Sequence, residues 1–490
     1  MSRLFSDVEG DDGISGAQRR VAIIVMILGT GMTVLDGSIV NVALPIIARD
    51  LHVVPSAAVW IANAYILAGA MTMVAFASLG DVIGFRRLYM GGIFLFTLSS
   101  LGCALSESLT TLNILRFIQG IGAAAAMSIG PALYRNIFPT RLLGSALGIN
   151  AMVVASSLAA GPAIGGAMLS VLSWPWLFAV NVPIGILTLT LARRVLPSDR
   201  GRGGKFDVAG AVLSALALAA IVLAVDGLSR HDSLFNELVL AIVALIAVVL
   251  FIFRQKRAPA PLLPLDIFSS IRFSMAVATS LCSFVGQGIA FIALPFLFQG
   301  AYGFSPLMSA ALFTPWPVAI VITAPIAGRL ADRYPAALLS TCGLAVYTIG
   351  LVLLACLGPH PSVMDILWRA FICGLGFGFF QSPNNREMMT NAPRSRSGTA
   401  SGVLAIARTF GQSLGAAMVA IALTAASSHL ASTLSASPDS SVNITSPINS
   451  ALIDASAVHL SLWIAASATL LATIISALRI RHGRENNTKM

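Results

Sequence analysis

Long apolar stretches, each bounded by short polar or basic segments, recur along the chain from Val21 almost to its end. Each stretch is roughly 18 to 25 residues long, and a helix of that length crosses a hydrocarbon layer about 30 Å thick. Because lipid offers no partners for free backbone N–H and C=O groups, every crossing segment must be helical. The pattern predicts fourteen membrane-spanning helices over residues 21–45, 56–79, 88–106, 109–134, 143–168, 174–195, 208–227, 235–254, 272–298, 306–329, 335–357, 363–388, 397–425 and 458–480.

The composition requires lipid as the main solvent of this chain. Of its 490 residues, 57% are hydrophobic and 10% are charged, and the mean hydropathy is +0.87. No water-soluble domain of this size can bury so much apolar surface in one core. The apolar run after Arg20 is too long for a signal-peptide core and carries no cleavage site, so we expect it to be retained as the first span.

The distribution of basic residues predicts the orientation. A net charge of +10 would indicate nucleic-acid binding in a soluble protein, but here about 25 of the 30 Lys and Arg residues fall on one side of the predicted spans. The opposite side keeps Arg49 and Arg230. Because basic loops stay in the cytoplasm, we expect a multi-pass protein of the bacterial inner membrane with both termini cytoplasmic and no nucleic-acid partner.

The two halves of the chain repeat one another at an offset of about 250 to 254 positions. The matching segments are Ala43–Pro45 with Ala293–Pro295, Leu79–Asp81 with Leu330–Asp332, Arg116 with Arg369, and Gly144–Gly148 with Gly398–Gly402. Related halves of this kind meet around a central cavity that opens to either side in turn. The repeat predicts an N-terminal tail over 1–20, a six-helix bundle over 21–200, an inserted two-helix hairpin over 201–258, a second six-helix bundle over 259–480 and a C-terminal tail over 481–490.

Asp36 is the acid that the predicted spans place deepest in the membrane. It lies in the segment Leu35–Pro45, which reads LDGSIVNVALP. Burying a carboxylate in a membrane is costly, so such an acid is a functional candidate, and it can serve by binding and releasing protons. The alternative is an Asp that caps a broken helix or pairs permanently with an Arg.

Arg116 is the expected partner of Asp36. It lies in the fourth span, in the sequence LNILRFIQGIG, and both residues are about 10 to 13 Å from the same membrane face by residue count. A guanidinium at that depth would hold Asp36 ionised until substrate or conformation separates them. The alternative is a structural Arg that is bonded to backbone carbonyls.

Two further segments predict moving parts. The loop after the second span reads LGDVIGFRR and has a second-half copy, GRLADR; we interpret Gly80, Asp81, Gly84, Arg86, Arg87 and Asp332 in these segments as a conformational latch.

The fifth span contains Gly161, Pro162, Gly165 and Gly166, where small residues and a proline predict a close, bendable gate. Ordinary small-residue packing is the alternative for the gate.

Together these motifs resemble the major facilitator superfamily, and specifically its fourteen-span drug:proton antiporter branch, over nearly the whole chain. The residues match the patterns LDxxxVNxALP, LxxxRxxQGxG and GPxxGG, while Trp174–Gly185 is similar to WRWxFxxNxPIG, with Pro175 in place of the usual Arg. The latch loop departs from the superfamily pattern at Ala77 and Val82. The resemblance implies the all-α major facilitator fold and exchange of a substrate for protons, since GPxxGG is associated with antiport.

The substrate cavity is expected to present aromatic and amide side chains, which suit lipophilic compounds. The candidates are Trp60, Asn63, Tyr65, Gln119, Gln287, Trp316, Gln381 and Asn384, with Arg408 as a further buried basic residue. Since Arg116, Arg369 and Arg408 make the interior more basic than acidic, an anionic or neutral substrate stays open, although the branch often exports cations.

The function expected from the sequence is proton-coupled efflux of small lipophilic or cationic drugs; the alternative is export of an endogenous metabolite, siderophore or lipid. No HExxH, Ser/His/Asp set or phosphate loop indicates an enzyme, a metal site or an ATP-driven pump. We expect no cofactor beyond the proton gradient. The expected partners are the bilayer, protons and a small molecule, and the chain is expected to act as a monomer, alone or with periplasmic or outer-membrane components.

Overall fold

The structure is a computed structural model that describes residues 11, 13–139, 142–198, 201, 203, 206–227, 234–258, 261–263, 265–331, 333–391, 397–435 and 447–487. Its ordered elements are helical throughout these residues. They are α1 (Gly16–Asp50), α2 (Pro55–Ile83), α3 (Phe85–Ala104), α4 (Leu109–Ser128), α5 (Gly130–Ile137), α6 (Leu143–Leu169), α7 (Pro175–Ala179), α8 (Asn181–Val195), α9 (Val208–Gly227), α10 (Leu234–Arg257), α11 (Ile271–Phe296), α12 (Pro306–Phe313), α13 (Pro315–Leu330), α14 (Ala336–Ala355), α15 (Val363–Asn391), α16 (Ser397–Ser435) and α17 (Pro447–Asn487).

The predicted all-α architecture with fourteen spans is confirmed. Within the described residues, fourteen helical segments are long and apolar enough to cross a membrane. Three spans are built from two α-helices each, α4 with α5, α7 with α8, and α12 with α13, and a fourth continues α11 into a π-helix over Leu297–Ala301. The second helix of each of these pairs has a proline in its first turn, Pro131 in α5, Pro183 in α8 and Pro315 in α13, where the missing N–H interrupts the helical hydrogen-bond ladder.

Several helices extend beyond the predicted spans. α1 was expected to end at Pro45 but continues to Asp50, because a helix can pass a proline at the loss of one backbone hydrogen bond. α16 and α17 likewise extend past residues 425 and 480 into polar sequence. Hydropathy marks the part of a helix that lies in lipid and not the point where the helix stops.

The helices pack in three groups. α1 to α8 pack on one another as a first bundle, and α11 to α17 pack as a second. The hairpin of α9 and α10 lies outside both, and α9 contacts α2 of the first bundle and α16 of the second. The indole Nε1 of Trp60 donates to Asp226 Oδ1 over 3.0 Å, which ties the hairpin to α2. The hairpin therefore covers one seam between the bundles.

Close glycine contacts reproduce the internal repeat in three dimensions. A Cβ atom on Gly120 of α4 would collide with the backbone oxygen of Tyr65 in α2. A Cβ atom on Gly374 of α15, 254 positions later, would collide with the backbone oxygen of Trp316 in α13. Equivalent helix pairs in the two bundles thus approach backbone to backbone at equivalent positions, as small residues allow in membranes.

The two bundles are closed at one end and separate at the other. We call the end where α1 begins and α2 ends the basic end, because Arg19 and Arg86 lie there. At the opposite end one buried apolar cluster contains residues of both bundles, and Gln299 Nε2 donates to the backbone oxygen of Val42 over 2.9 Å. Towards the basic end the two bundles have separate apolar clusters. The space between the bundles therefore opens towards the basic end.

The glycine contacts predict a selective loss of stability. Gly120→Ala and Gly374→Ala should each lower stability by about 1–3 kcal/mol, since the added methyl group forces backbone shifts in a packed core. Gly91→Ala in α3 is the matched control, because a Cβ there meets nothing within 4 Å and alanine favours helix. Melting temperatures of the purified proteins in detergent test this; equal values for all three variants would contradict the packing.

Candidate functional site

Asp36 and Arg116 form a buried ion pair. Arg116 Nη1 donates to Asp36 Oδ2 over 2.5 Å, and both side chains are fully buried. The structure thus brings together the two residues whose similar depth the sequence indicated. In a medium of low polarity such a pair is far stronger than the same pair in water, although removing both charges from water is costly.

Two amides complete the coordination of the carboxylate. Asp36 Oδ1 accepts a hydrogen bond from Asn181 Nδ2 over 2.7 Å and from Gln119 Nε2 over 3.1 Å. Both amides also donate to the hydroxyl of Ser100. The carboxylate of Asp36 is therefore the centre of a buried polar network in which each oxygen is satisfied.

Four different helices position this network. Asp36 lies in α1, Ser100 in α3, Asn181 at the first residue of α8, and Arg116 and Gln119 in α4. Arg116 and Gln119 are three positions apart in α4, so their side chains share one face of that helix. Asn181 and Ser100 were not predicted as site residues. The signal for Asn181 was its place in the quoted Trp174–Gly185 segment, whereas nothing around Ser100 distinguished it from other small polar residues in apolar helices.

Arg116 is held by more than its carboxylate. Its Nε donates to the backbone oxygen of Ile61 over 3.0 Å, and its Cζ lies 4.3 Å from the centre of the Tyr65 ring. The alternative of a structural Arg bonded to a carbonyl is therefore realised together with the ion pair. These additional contacts can keep Arg116 in place when the charge of Asp36 changes.

Tyr65 separates the ion pair from the central cavity. Its ring covers the Arg116 guanidinium and also lines the cavity, while its hydroxyl donates to the backbone oxygen of Thr33 over 2.8 Å. Asp36 and Arg116 themselves are not among the lining residues. The carboxylate is thus shielded from the cavity in this conformation.

The cavity lies between the bundles and has a volume of about 860 Å³. Its lining runs along α2 from Tyr65 to Met73 and along α4 from Gly120 to Met127, in each case towards the basic end. Of the nine side chains expected in the cavity, four line it: Tyr65, Gln287, Gln381 and Arg408. A cavity of this size is suited to a drug-sized molecule.

The three other amides that were expected in the cavity pack between helices instead. Gln119 belongs to the Asp36 network. Asn63 Oδ1 accepts from the Ser413 hydroxyl over 2.6 Å, which joins α2 to α16. Asn384 Oδ1 accepts from Arg479 Nη1 over 2.8 Å inside the second bundle. An unpaired amide is costly in lipid, so helix-to-helix hydrogen bonds compete with the cavity for these groups.

The two tryptophans expected in the cavity also lie elsewhere. Trp60 binds Asp226 of the hairpin. Trp316 is fully buried in an aromatic cluster, where its ring stacks on Phe313 and meets Tyr347 edge to face. The rotation of each helix about its axis decides between these positions, and residue type alone does not determine that rotation.

The predicted gate residues lie on α6 where this helix contacts α1 of its own bundle and α12 of the second bundle. A Cβ on Gly161 would collide with the Ser38 side chain, and one on Gly165 would lie 3.2 Å from Ile39, both in α1. A Cβ on Gly166 would lie 2.7 Å from Ala310 Cβ in α12 of the second bundle. Pro162 is inside α6. Close packing is thus evident, and the gating role stays a prediction.

The predicted latch is seen only in part. Gly84 has a φ of +99° and joins α2 to α3, and a Cβ on Gly80 would lie 2.8 Å from Ile129 Cγ2. Arg86 donates to the backbone oxygen of Arg193 over 2.6 Å, within its own bundle. Asp81 and Arg87 are exposed, and Asp332 lies outside the described residues. The latch function stays a prediction.

The second bundle does not reproduce the Asp36 network. Arg369, which corresponds to Arg116 in the repeat, pairs with Asp365 one turn earlier on its own helix, with Nη2 2.9 Å from Oδ2. Both side chains are partly exposed. Within the described residues, a buried carboxylate bound by an arginine and two amides is therefore found in the first bundle and not at the equivalent place in the second.

Sequence comparisons place this architecture in a family. A sequence model of the Major Facilitator Superfamily matches residues 26–416. The uncharacterized transporter YebQ of Escherichia coli K12 is 46% identical over 84% of this chain and 91% of its own. The riboflavin transporter RibZ of Clostridioides difficile is 34% identical over 82% of this chain and 87% of its own. The multidrug resistance protein Stp of Mycobacterium tuberculosis is 32% identical over 81% of this chain and 74% of its own.

Solved structures share the fold at low sequence identity. A bacterial homologue of the human lysosomal transporter Spinster, in an inward-facing and unoccupied conformation, aligns with a TM-score of 0.65 at 17% identity over 95% of this chain and 98% of its own. An auto-inhibited peptide transporter of the POT family aligns with a TM-score of 0.68 at 16% identity over 94% and 96%. The chain belongs to the major facilitator superfamily and is a non-enzymatic membrane transporter.

Proposed function

We propose that this transporter exports small lipophilic compounds in exchange for protons, by alternating access of the central cavity. The observation that carries the proposal is the fully buried Asp36 carboxylate, which is bound to Arg116 beside a cavity that opens at one end only. An ionisable group at this depth, one side chain away from the substrate space, is suited to link proton binding to conformation.

The coupling follows from the neighbours of Asp36. As a carboxylate it accepts from Arg116, Gln119 and Asn181, so the charged form is stabilised in the conformation that opens at the basic end. A protonated carboxyl loses most of its attraction for Arg116 and can accept fewer hydrogen bonds. Proton binding therefore weakens the network and favours the conformation in which it is rearranged, while proton release favours the conformation described here.

The proposed direction of transport follows from the position of the basic residues and from the predicted gate in α6. If the basic end faces the cytoplasm of a bacterial inner membrane, with both termini on that side, then the cavity loads from the cytoplasm. The proton is then taken up in the other conformation, where the network is rearranged, and is released to the cytoplasm when the empty carrier returns and the network re-forms. No cofactor other than the gradient is needed. The close α1–α6–α12 contacts of Gly161 to Gly166 suit a seal at the opposite end. We propose that the chain works as a monomer, and the described structure contains a complete cavity in one chain.

Some relatives support export of foreign compounds, and one supports an endogenous metabolite as a second candidate cargo. Stp is named a multidrug resistance protein, and a tetracenomycin C resistance and export protein of Streptomyces glaucescens is 30% identical over 81% of this chain. RibZ is named a riboflavin transporter. An endogenous metabolite is therefore the second candidate cargo, and a substrate screen distinguishes the two.

Loss of the Asp36 charge should abolish coupling. In everted membrane vesicles under an imposed pH gradient, Asp36→Asn should still bind a transported dye but accumulate it no faster than vesicles without the protein, because no proton can be exchanged at this site. Asp365→Asn is the matched control, since it removes a partly exposed carboxylate from an ion pair in the other bundle. Equal accumulation by the wild type and Asp36→Asn would exclude Asp36 as the proton carrier.

The buried pair should behave as one energetic unit. Asp36→Asn and Arg116→Met should each lower the melting temperature, because removal of one partner from a buried pair costs about 3–5 kcal/mol. The loss of stability in the double variant should be clearly smaller than the sum of the losses in the two single variants. Asp365→Asn and Arg369→Met form the control cycle, with a coupling of about 0–1 kcal/mol expected for a partly exposed pair. Additive losses in the Asp36–Arg116 cycle would contradict the ion pair.

A further inference from the structure

The cavity lining carries a positive charge. Among the described residues that line the cavity, Arg408 is the single charged side chain, and no Asp or Glu is present. The nearest functional acid, Asp36, lies behind Tyr65 and is already paired with Arg116. A cationic substrate would therefore meet a guanidinium in this cavity and no described carboxylate to balance its charge.

Arg408 is partly exposed and differs from the fully buried arginines in having its donors free. Arg116 binds Asp36, Arg479 binds Asn384 and Ser476, and Arg19 binds a backbone oxygen. Arg408 makes no hydrogen bond or ion pair with any residue in the part of the chain that the structure describes. Arg408 is partly exposed and lines the open cavity, so its unpaired N–H groups are available to an acceptor on a ligand.

The side chains around Arg408 are neutral hydrogen-bonding groups. Gln412 is four residues further along α16 and therefore shares the face of Arg408. Its Nε2 donates to Gln287 Oε1 across the cavity wall over 3.1 Å. Gln381 and Asn385 of α15 also line the space. These amides can bind the polar edge of a ligand but add no charge that would offset the guanidinium.

Part of the remaining cavity wall is apolar and is formed by aromatic residues. Phe284, Phe291 and Phe377 line the cavity. Phe284 and Phe377 are held edge to face with centroids 5.5 Å apart, and Phe291 meets Trp316 in the same way at 5.5 Å. These rings are almost fully covered by their neighbours, so they form a rigid apolar boundary against which the apolar part of a ligand can pack.

We propose that the cavity selects small aromatic organic anions, with Arg408 pairing with the anionic group and the amides and phenylalanines holding the ring system. This inference rests on the proposed function insofar as the cavity is the transport site, and it specifies the charge class of the substrate. A carboxylate or another acidic oxygen group accepts from the planar guanidinium through two parallel hydrogen bonds.

Two dyes with the same xanthene framework and opposite charge test the proposal. Fluorescence anisotropy would measure binding of anionic fluorescein and cationic rhodamine 6G to the purified protein. We expect fluorescein to bind about tenfold more tightly than rhodamine 6G, as a charge-assisted pair predicts. Arg408→Gln should remove this preference, and Arg408→Lys should retain most of it, because lysine keeps the charge and loses only the bidentate geometry.

The outcomes separate this inference from the proposed function. Tighter binding of rhodamine 6G, no binding of either dye, or an unchanged preference in a folded Arg408→Gln protein would overturn the anion selectivity. If Arg408→Gln does not fold, the wild-type preference and Arg408→Lys decide. Selective fluorescein binding without gradient-driven accumulation in everted vesicles would support the anion site and contradict proton-coupled export; accumulation of rhodamine 6G alone would support export and contradict the anion site.

Discussion

A carboxylate deep in a membrane protein has to be neutralised by its neighbours, and the first bundle is organised around that constraint at Asp36. Four helices bring Arg116, Gln119, Asn181 and Ser100 to it. Both oxygens of the carboxylate accept hydrogen bonds, so its burial leaves no acceptor unsatisfied. A change of that charge alters the hydrogen bonding of all four helices at once, which is how a single proton can influence the arrangement of a bundle.

The surrounding architecture places this network beside the central cavity. Tyr65 separates the two, so the proposed proton site and the proposed substrate site are adjacent but distinct. The bundles are sealed at one end by close contacts such as Gln299 with Val42 and are separate at the basic end. The two-helix hairpin lies across a seam through the Trp60–Asp226 contact. It is thus in a position to respond to relative motion of α2 and α16.

The sequence predicted those features that depend on length, charge and spacing. The span count followed from apolar run lengths, and the depth of Asp36 and Arg116 followed from residue counts along their helices. Features that depend on helix rotation were not predictable in this way. Asn63, Trp316 and Asn384 turn into helix interfaces instead of the cavity, because each polar or aromatic group finds a better partner there. Ser100 carries no sequence signal, since its role comes from a tertiary contact with two amides.

If the charge of Asp36 selects which end of the cavity is open, a distance measured across the basic end must change when that charge is removed. Spin labels at the exposed positions Ile83 of α2 and Met389 of α15, in a protein whose five native cysteines are replaced, report the separation of the bundles by pulsed electron resonance. The account predicts a long distance in the charged protein and a shift to shorter distances with Asp36→Asn, even at neutral pH. The same distance distribution in both proteins at every pH would contradict it.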